Sequence, residues 1–328
     1  MRLVTCVHDK CQILGSWTDG DTKTVDLHRA AQLAGEGDLA PFASMLALIE
    51  GGADAWARAR RLTANPPDGA IIDNAQCRLL SPLPMPTQVR DFLCFEGHLI
   101  AAFQGTAKLA AKLSGATDEQ VDEVVRNSEW VVPNIWYQQP IYYIAGRTQI
   151  AAHDDEVQRP HYCNYFDFEL EFAAVIGKQG TNISRDDARD HIFGYTIYND
   201  WSARDEQIKA MRGMLGPGKG KDFGQGITLG PCIVTADEIG DPYALDMRAF
   251  VNGEQWTAGN SRDMHYKFED CIANVTRSQT LFAGEIIGSG TVPGGCGLEH
   301  GRFLKDGDIV ELDVSGIGRL RNRVTTQT

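Results

Sequence analysis

Three acidic side chains in alternation, Asp167-Phe-Glu169-Leu-Glu171, are the sharpest chemical feature of the chain. Side chains of an extended strand alternate between its faces, so these carboxylates fall together, with Phe168, Leu170 and Phe172 opposite them. Neighbouring carboxylates on one face stand about 7 Å apart. They repel unless a cation sits between them, and a hard divalent ion with oxygen ligands suits that arrangement. A half-exposed strand with a solvated acidic face has the same pattern. Asp200 ends a second strand-like run, Gly194-Tyr-Thr-Ile-Tyr-Asn-Asp200. A carboxylate at a strand end, with an open loop beyond, is well placed to hold a ligand; it serves equally as the cap of a helix starting at Ser202-x-x-Asp205. Arg204 and Gln207, three apart on that helix, share a face.

The glycine-dense run from Gly216 to Pro231 lets backbone approach a ligand closely and offers Lys219 or Lys221 as local positive charge. It lacks the Gly-x4-Gly-Lys-Ser/Thr spacing of a phosphate-cradling loop. It also reads as a plain flexible loop. Arg90-Asp91-Phe-Leu-Cys-Phe-Glu-Gly-His98 sets an imidazole seven residues beyond a carboxylate. His98 is one of eight histidines and gains meaning only from company.

Short strands and turns are expected over the first 80 residues: a hairpin of Val4–Lys10 with Cys11–Gly15, and a turn at Asp19-Gly-Asp. Helices follow at 42–50, stopped by Gly51-Gly52, and at 53–62. Pro82, Pro84 and Pro86 make a stiff connection and place a domain boundary nearby. A strand over 88–95 leads into an alanine-rich helix from about 98 to 113. A second helix opens at Thr117-x-x-Gln120, a capping-box pattern. The aromatic stretch 136–144 returns the chain to strand, and β patterns dominate from Tyr165 to a last hairpin turning at Gly316–Gly318.

A net charge of −13 repels nucleic acid and anionic lipid. An anionic substrate would then need concentrated local positive charge from a metal or a few placed Arg and Lys. No apolar run approaches the roughly 18 residues of a membrane span. The eight cysteines are scattered without a C-x-x-C pair, which argues against structural zinc and a disulfide framework. The start of the chain lacks the pattern of a signal peptide, and a cytoplasmic protein is expected.

Taken in order, Asp91…His98, Asp-Phe-Glu169-Leu-Glu171, Asn-Asp200-Trp-Ser-Ala-Arg-Asp, Gly-Lys221-Asp-Phe and Ser289-Gly-Thr291…Glu299 resemble the fumarylacetoacetate hydrolase (FAH) family. The resemblance extends over nearly the whole chain, including Gly230-Pro-Cys-Ile-Val-Thr-Ala-Asp-Glu238, Val251-Asn-Gly-Glu254 and Leu281-Phe-Ala-Gly-Glu285. It implies an α+β, β-rich fold: an FAH-type mixed β-sandwich or β-roll catalytic domain over 86–328, with 99–130 as a helical lid, after a small N-terminal β domain over 1–85. It implies that Asp91, Glu169, Glu171 and Asp200 bind Mg²⁺ or Ca²⁺, with Mn²⁺ a further candidate. His98 would activate water and Glu299 would orient it. Lys221 would stabilise the oxyanion and the leaving enolate, helped by Arg204 and Gln207, and Thr291 would contact the substrate carboxylate.

The activity so implied is metal-dependent hydrolysis of a carbon–carbon bond in a small anionic 1,3-diketo acid, of fumarylacetoacetate or acylpyruvate type, by a homodimer. A decarboxylase, lyase or isomerase of a 2-keto acid is the alternative, and a non-catalytic ligand-binding member a second one. Having both His98 and Glu299 favours hydrolysis. The pattern departs from the tyrosine-breakdown enzyme at Leu93, which replaces a tyrosine, and at Lys209-Ala-Met-Arg-Gly-Met-Leu215, which replaces aromatic residues. These departures imply an altered pocket, which an acylpyruvate or another diketo acid fits as well as fumarylacetoacetate.

Overall fold

Alternating apolar residues on either side of Asp9-Lys10 fold as the expected hairpin, Arg2–His8 against Cys11–Thr18. The turn needs left-handed backbone, and Asp9 and Lys10 supply it at φ 47° and 66°. The computed structural model describes residues 1–326. The hairpin belongs to a twelve-stranded mixed sheet, because Arg2–His8 also pairs antiparallel with Ile227–Thr235, Leu3 opposite Ile233. From there the sheet continues through Ile192–Asp200, Leu170–Ile176, Ile286–Gly288 and Val89–Phe92 to Tyr142–Ala145. Hydrogen bonding thus runs unbroken across the boundary expected near residue 85.

A five-stranded sheet of Glu254–Asn260, Asp246–Val251, Ile309–Val314, Gly318–Thr326 and Glu156–Arg159 covers one face of the large sheet. Between them lies a core containing Phe172, Ile197, Met247, Leu312 and Val324. The other face packs on the N-terminal helices Met45–Glu50 and Gly52–Ala64 through Leu48, Ile49, Ala55 and Ala59. Strands buried on both faces carry continuous apolar runs rather than alternation. Leu170–Ile176, Ile192–Asp200 and Ile227–Thr235 are buried at every residue. The central strands are therefore a rigid, dry platform.

Local expectations fared unevenly. Thr117 and Gln120 form the capping box of helix Asp118–Asn127, and the helix expected from residue 98 runs over Glu96–Leu113. Residues 136–144 are not all strand: Asn134–Gln138 is a helical turn, started after Pro133 and anchored by buried Trp136, and only Tyr142–Ala145 is extended. The Ser202 capping box does not form. Ser202–Ala203 pairs as a short strand with Phe166–Asp167, and the helix begins at Arg204. No helix among the described residues is long and apolar enough to cross a membrane.

Arg90, beside Asp91, is buried against the buried carboxylate of Glu285. Glu285→Ala would leave a guanidinium in the core without its counter-charge, at a cost of about 3–5 kcal/mol. Urea unfolding should read that loss, and a change below about 1 kcal/mol would show that the pair contributes little to stability.

Candidate active site

Four neighbouring strands of the large sheet converge on one acidic cluster. Asp91 comes from Val89–Phe92, Glu171 from Leu170–Ile176 and Asp200 from the end of Ile192–Asp200, and one oxygen of each lies within 4.8 Å of the others. The fourth strand, Ile286–Gly288, runs between those of Asp91 and Glu171 and ends in the residue that makes the meeting possible. A Cβ on Gly288 would stand 2.5 Å from Asp91 Oδ1 and 3.3 Å from Glu171 Oε2. Sequence reasoning passed over Gly288, although a glycine closing Ile-Ile-Gly in a strand signals a close approach.

All three carboxylates are buried. Burial first, and then the charge of Asp200, pushes Asp91 well above the usual carboxylate range; burial and Asp91 do the same to Glu171. Burial raises Asp200 too, against the opposing pull of Lys221. Glu171 accepts from the Gly290 amide at 2.9 Å and from Thr291 Oγ1 at 3.3 Å, and Asp200 Oδ2 accepts from the Tyr143 hydroxyl at 2.9 Å. Asp91 Oδ1 and Asp200 Oδ1 have no hydrogen-bond partner. Orphaned buried carboxylate oxygens facing one point call for a cation, and an all-oxygen donor set fits a hard divalent ion. These residues fit the metal.

Glu169 behaves differently. Strand geometry lapses between Phe166–Asp167 and Leu170–Ile176; Asp167 turns to partners of its own, while Glu169 and Glu171 line one cavity. Glu169 Oε2 lies 2.5 Å from Lys221 Nζ and its Oε1 2.8 Å from Arg204. Burial alone would raise it, but Lys221 and Arg204 together hold it below the usual range. Lys221 also reaches Asp200 Oδ2 at 2.5 Å, and although burial opposes its charge, Asp200 and Glu169 raise it above an ordinary ammonium. Asp167 goes elsewhere again. It accepts from Arg204 Nε at 2.8 Å and from the Gly297 and Leu298 amides at 2.7 and 2.9 Å.

Those amides open the short helix Gly297–His300 that carries Glu299. Glu299 Oε1 lies 2.8 Å from His98 Nδ1, in the first turn of helix Glu96–Leu113, while its Oε2 accepts from the Gly294 amide at 2.8 Å. Cys296, unassigned from the sequence, donates to Glu299 at 3.5 Å. With Nδ1 so engaged, Nε2 is the ring nitrogen left to exchange a proton.

Every site residue named from the sequence except Glu299 lines a single cavity of about 1560 Å³. Helix Glu96–Leu113 forms part of its wall, through Leu99 and Phe103 among others. Gln207 accepts from Arg204 at 2.9 Å, so the two meet as expected. Thr291 holds Glu171 and lines the cavity at the same time. Tyr143 was read only as part of an aromatic run.

The family model described as fumarylacetoacetate (FAA) hydrolase C-terminal matches residues 114–325. The oxaloacetate tautomerase YisK of Bacillus subtilis is 35% identical over 187 residues, 56% of this chain and 61% of that protein. The mitochondrial oxaloacetate tautomerase FAHD2A of Homo sapiens is 38% identical over 189 residues, 57% and 59% of the two chains. The chain thus spans about three fifths of the length of these curated relatives. Among solved structures, maleylpyruvate hydrolase from Sphingobium sp. SYK-6, in complex with manganese(II) and pyruvate, superposes with a TM-score of 0.71 at 23% identity, covering both chains completely. That likeness is one of fold, and it agrees with the β-rich α+β architecture. With the family match spanning well over half its length, this chain belongs to the fumarylacetoacetate hydrolase family.

Proposed function

We propose that the protein is a metal-dependent hydrolase of a carbon–carbon bond in a 1,3-diketo acid. The observation that carries this reading is the His98–Glu299 pair opening into the cavity that holds the three-carboxylate cluster and Lys221. Asp91, Glu171 and Asp200 would hold Mg²⁺, Mn²⁺ or Ca²⁺, which supplies Lewis-acid polarisation of the substrate's oxygens. The solved maleylpyruvate hydrolase with manganese and pyruvate supports Mn²⁺ as one of them.

His98 takes a proton from water at Nε2 as the oxygen attacks the acyl carbonyl. Glu299 keeps the other proton on Nδ1 and offsets the charge of the imidazolium. Lys221 Nζ lends fixed positive charge to the carbonyl oxygen as it becomes an alkoxide. The acyl–CH₂ bond then breaks, its electron pair goes to the departing 2-oxo acid as an enolate, and His98 returns its proton to that carbon. The products are a carboxylate and a 2-oxo acid, with one water consumed. Dimeric assembly, which the resemblance implies, and a cytoplasmic location, expected from the start of the chain, stand as part of this proposal; light scattering in solution would read the first, and fractionation of the source cells the second.

Tautomerisation is the second reading, favoured by the two relatives named as oxaloacetate tautomerases. It uses the same base to carry a proton between carbon and oxygen without water attack. Product analysis separates the two: new carboxylate from an acylpyruvate supports hydrolysis, and keto–enol interconversion of oxaloacetate without cleavage supports tautomerisation.

His98→Ala should lower turnover by about 10²–10⁴-fold while calorimetric Mn²⁺ affinity holds. Unchanged turnover would remove His98 from the chemistry. Gly288→Ala should weaken Mn²⁺ binding by roughly 10–100-fold, since its methyl displaces Asp91; equal affinity would show that the cluster is not the metal site.

The raised cluster also sets a pH dependence. Without metal, the native carboxylates hold protons that the unfolded chain has released, so stability falls as pH rises through their raised range. Metal must displace those protons, so its affinity should climb over the same interval. Calorimetry in buffers of different ionisation enthalpy would count the protons released, and a pH-independent affinity with none released would contradict the assignment.

A further inference from the structure

The cavity is larger than its chemistry requires. A volume of about 1560 Å³ exceeds the roughly 300–1,000 Å³ that commonly encloses a small ligand, and the cluster, His98 and Lys221 serve only the reacting head of a diketo acid. Three cations line it, Lys221, Arg204 and Arg212. Lys221 already faces Glu169 and Asp200, and Arg204 faces Asp167 and Glu169. Arg212 is exposed to solvent. Its lining also includes Leu93, Leu99, Phe103 and Ile141, which pack together as one apolar cluster. A second carboxylate pressed against those side chains would lose its water without gaining a buried cation, which is costly.

The rim points the same way. Val131, Ile144, Met211 and Leu215 are among the large apolar side chains left exposed, and all four line this cavity. Leu215 is 98% exposed and Ile144 63%. They come from three separate segments of the chain. Exposed apolar groups gathered at one opening mark a surface that is covered in use.

Building on the diketo-acid reading, we propose that the substrate's acyl group is an uncharged apolar tail, an alkyl chain of medium length or an aryl ring, lying against Leu93, Leu99, Phe103 and Ile141. The enzyme then discriminates against substrates with a second, distal carboxylate. Cleavage breaks the bond between the acyl carbon and the CH₂, adds hydroxyl from water to the former and hydrogen to the latter, and yields an apolar carboxylate with pyruvate.

The test measures kcat/KM of the Mn²⁺-loaded full chain on acetyl-, butanoyl-, hexanoyl- and octanoylpyruvate, with oxaloacetate and adipoylpyruvate as dicarboxylic comparisons. A gain of about two- to fourfold per added methylene is expected, with no comparable gain for adipoylpyruvate over acetylpyruvate. Ile144→Asp, at an exposed rim position, should flatten the series; Ala102→Trp, filling the wall, should penalise octanoylpyruvate more than acetylpyruvate. Binding of 2-oxooctanoate and of pyruvate to the Mn²⁺-loaded protein, read by calorimetry, supplies a measure that needs no turnover, and the longer acid should bind tighter.

Cleavage that is flat across the series, or as good with adipoylpyruvate as with hexanoylpyruvate, would overturn the tail and leave the hydrolase reading standing. Absence of cleavage on every acylpyruvate, with 2-oxooctanoate still binding tighter than pyruvate, would overturn the hydrolase reading and keep the tail. If the apolar rim instead seats a second copy of the chain, Leu215→Ser would dissociate an oligomer and chain length would have no effect on binding, which also overturns the proposal.

Discussion

Three buried carboxylates held side by side are the constraint to which the rest of the site answers. Each raises the cost of ionising the next, and the cost grows as water is excluded. The fold does not relieve this by spreading them apart. It fixes them at adjacent strands buried on both faces, omits a side chain at Gly288 so that Asp91 and Glu171 can meet, and gives Glu171 only a backbone amide and a threonine hydroxyl. Asp91 Oδ1 and Asp200 Oδ1 stay unsatisfied. A site built this way suits a cation, which would take the place of the protons that the raised carboxylates hold.

The positive side chains do more than neutralise. Arg204 joins two parts of the machinery, touching Glu169 on one side and Asp167 on the other. Asp167 in turn grips the two amides that open the Glu299 helix. One buried guanidinium–carboxylate chain thus ties the position of His98, through Glu299, to that of Lys221, which binds the far oxygen of Glu169. Glu169, expected among the metal ligands, is held here by cations and links the two clusters. Catalytic groups need placement within fractions of an ångström, and this chain of contacts explains how elements more than a hundred residues apart in sequence keep it.

Much of this could be read from the residues, and the failures have physical causes. Motif order points to Asp91, His98, Lys221 and Thr291, and the fold brings them to one cavity. The alternation of Asp167, Glu169 and Glu171 is interrupted after Asp167, which pairs with Arg204 and two helix amides, while Glu169 and Glu171 line the same cavity. Ser202 pairs across a strand instead of capping a helix, since tertiary pairing outweighs a local capping preference. Gly288 and Tyr143 went unassigned because their roles depend on which strands become neighbours. Local pattern does not report that: Gly288 sits beside Asp91 through a parallel pairing of strands nearly two hundred residues apart. The N-terminal hairpin shows the same dependence on distant partners, since its edge joins Ile227–Thr235.

Hydrolysis and tautomerisation demand different things of the same base. A tautomerase needs His98 near a carbon acid and benefits from a cavity without free water, because an attacking water diverts the intermediate. A hydrolase needs one ordered water between His98 Nε2 and the acyl carbon, and no others. A cavity of this size, left open, would admit many. An apolar tail lying along Leu93, Leu99, Phe103 and Ile141 would displace most of them while leaving the polar end, where His98, Lys221 and the carboxylates stand, as the place where a water finds enough partners to remain. On the hydrolase reading, what lies against this wall would bear on the chemistry as well as on substrate choice, because it would set how much water reaches His98.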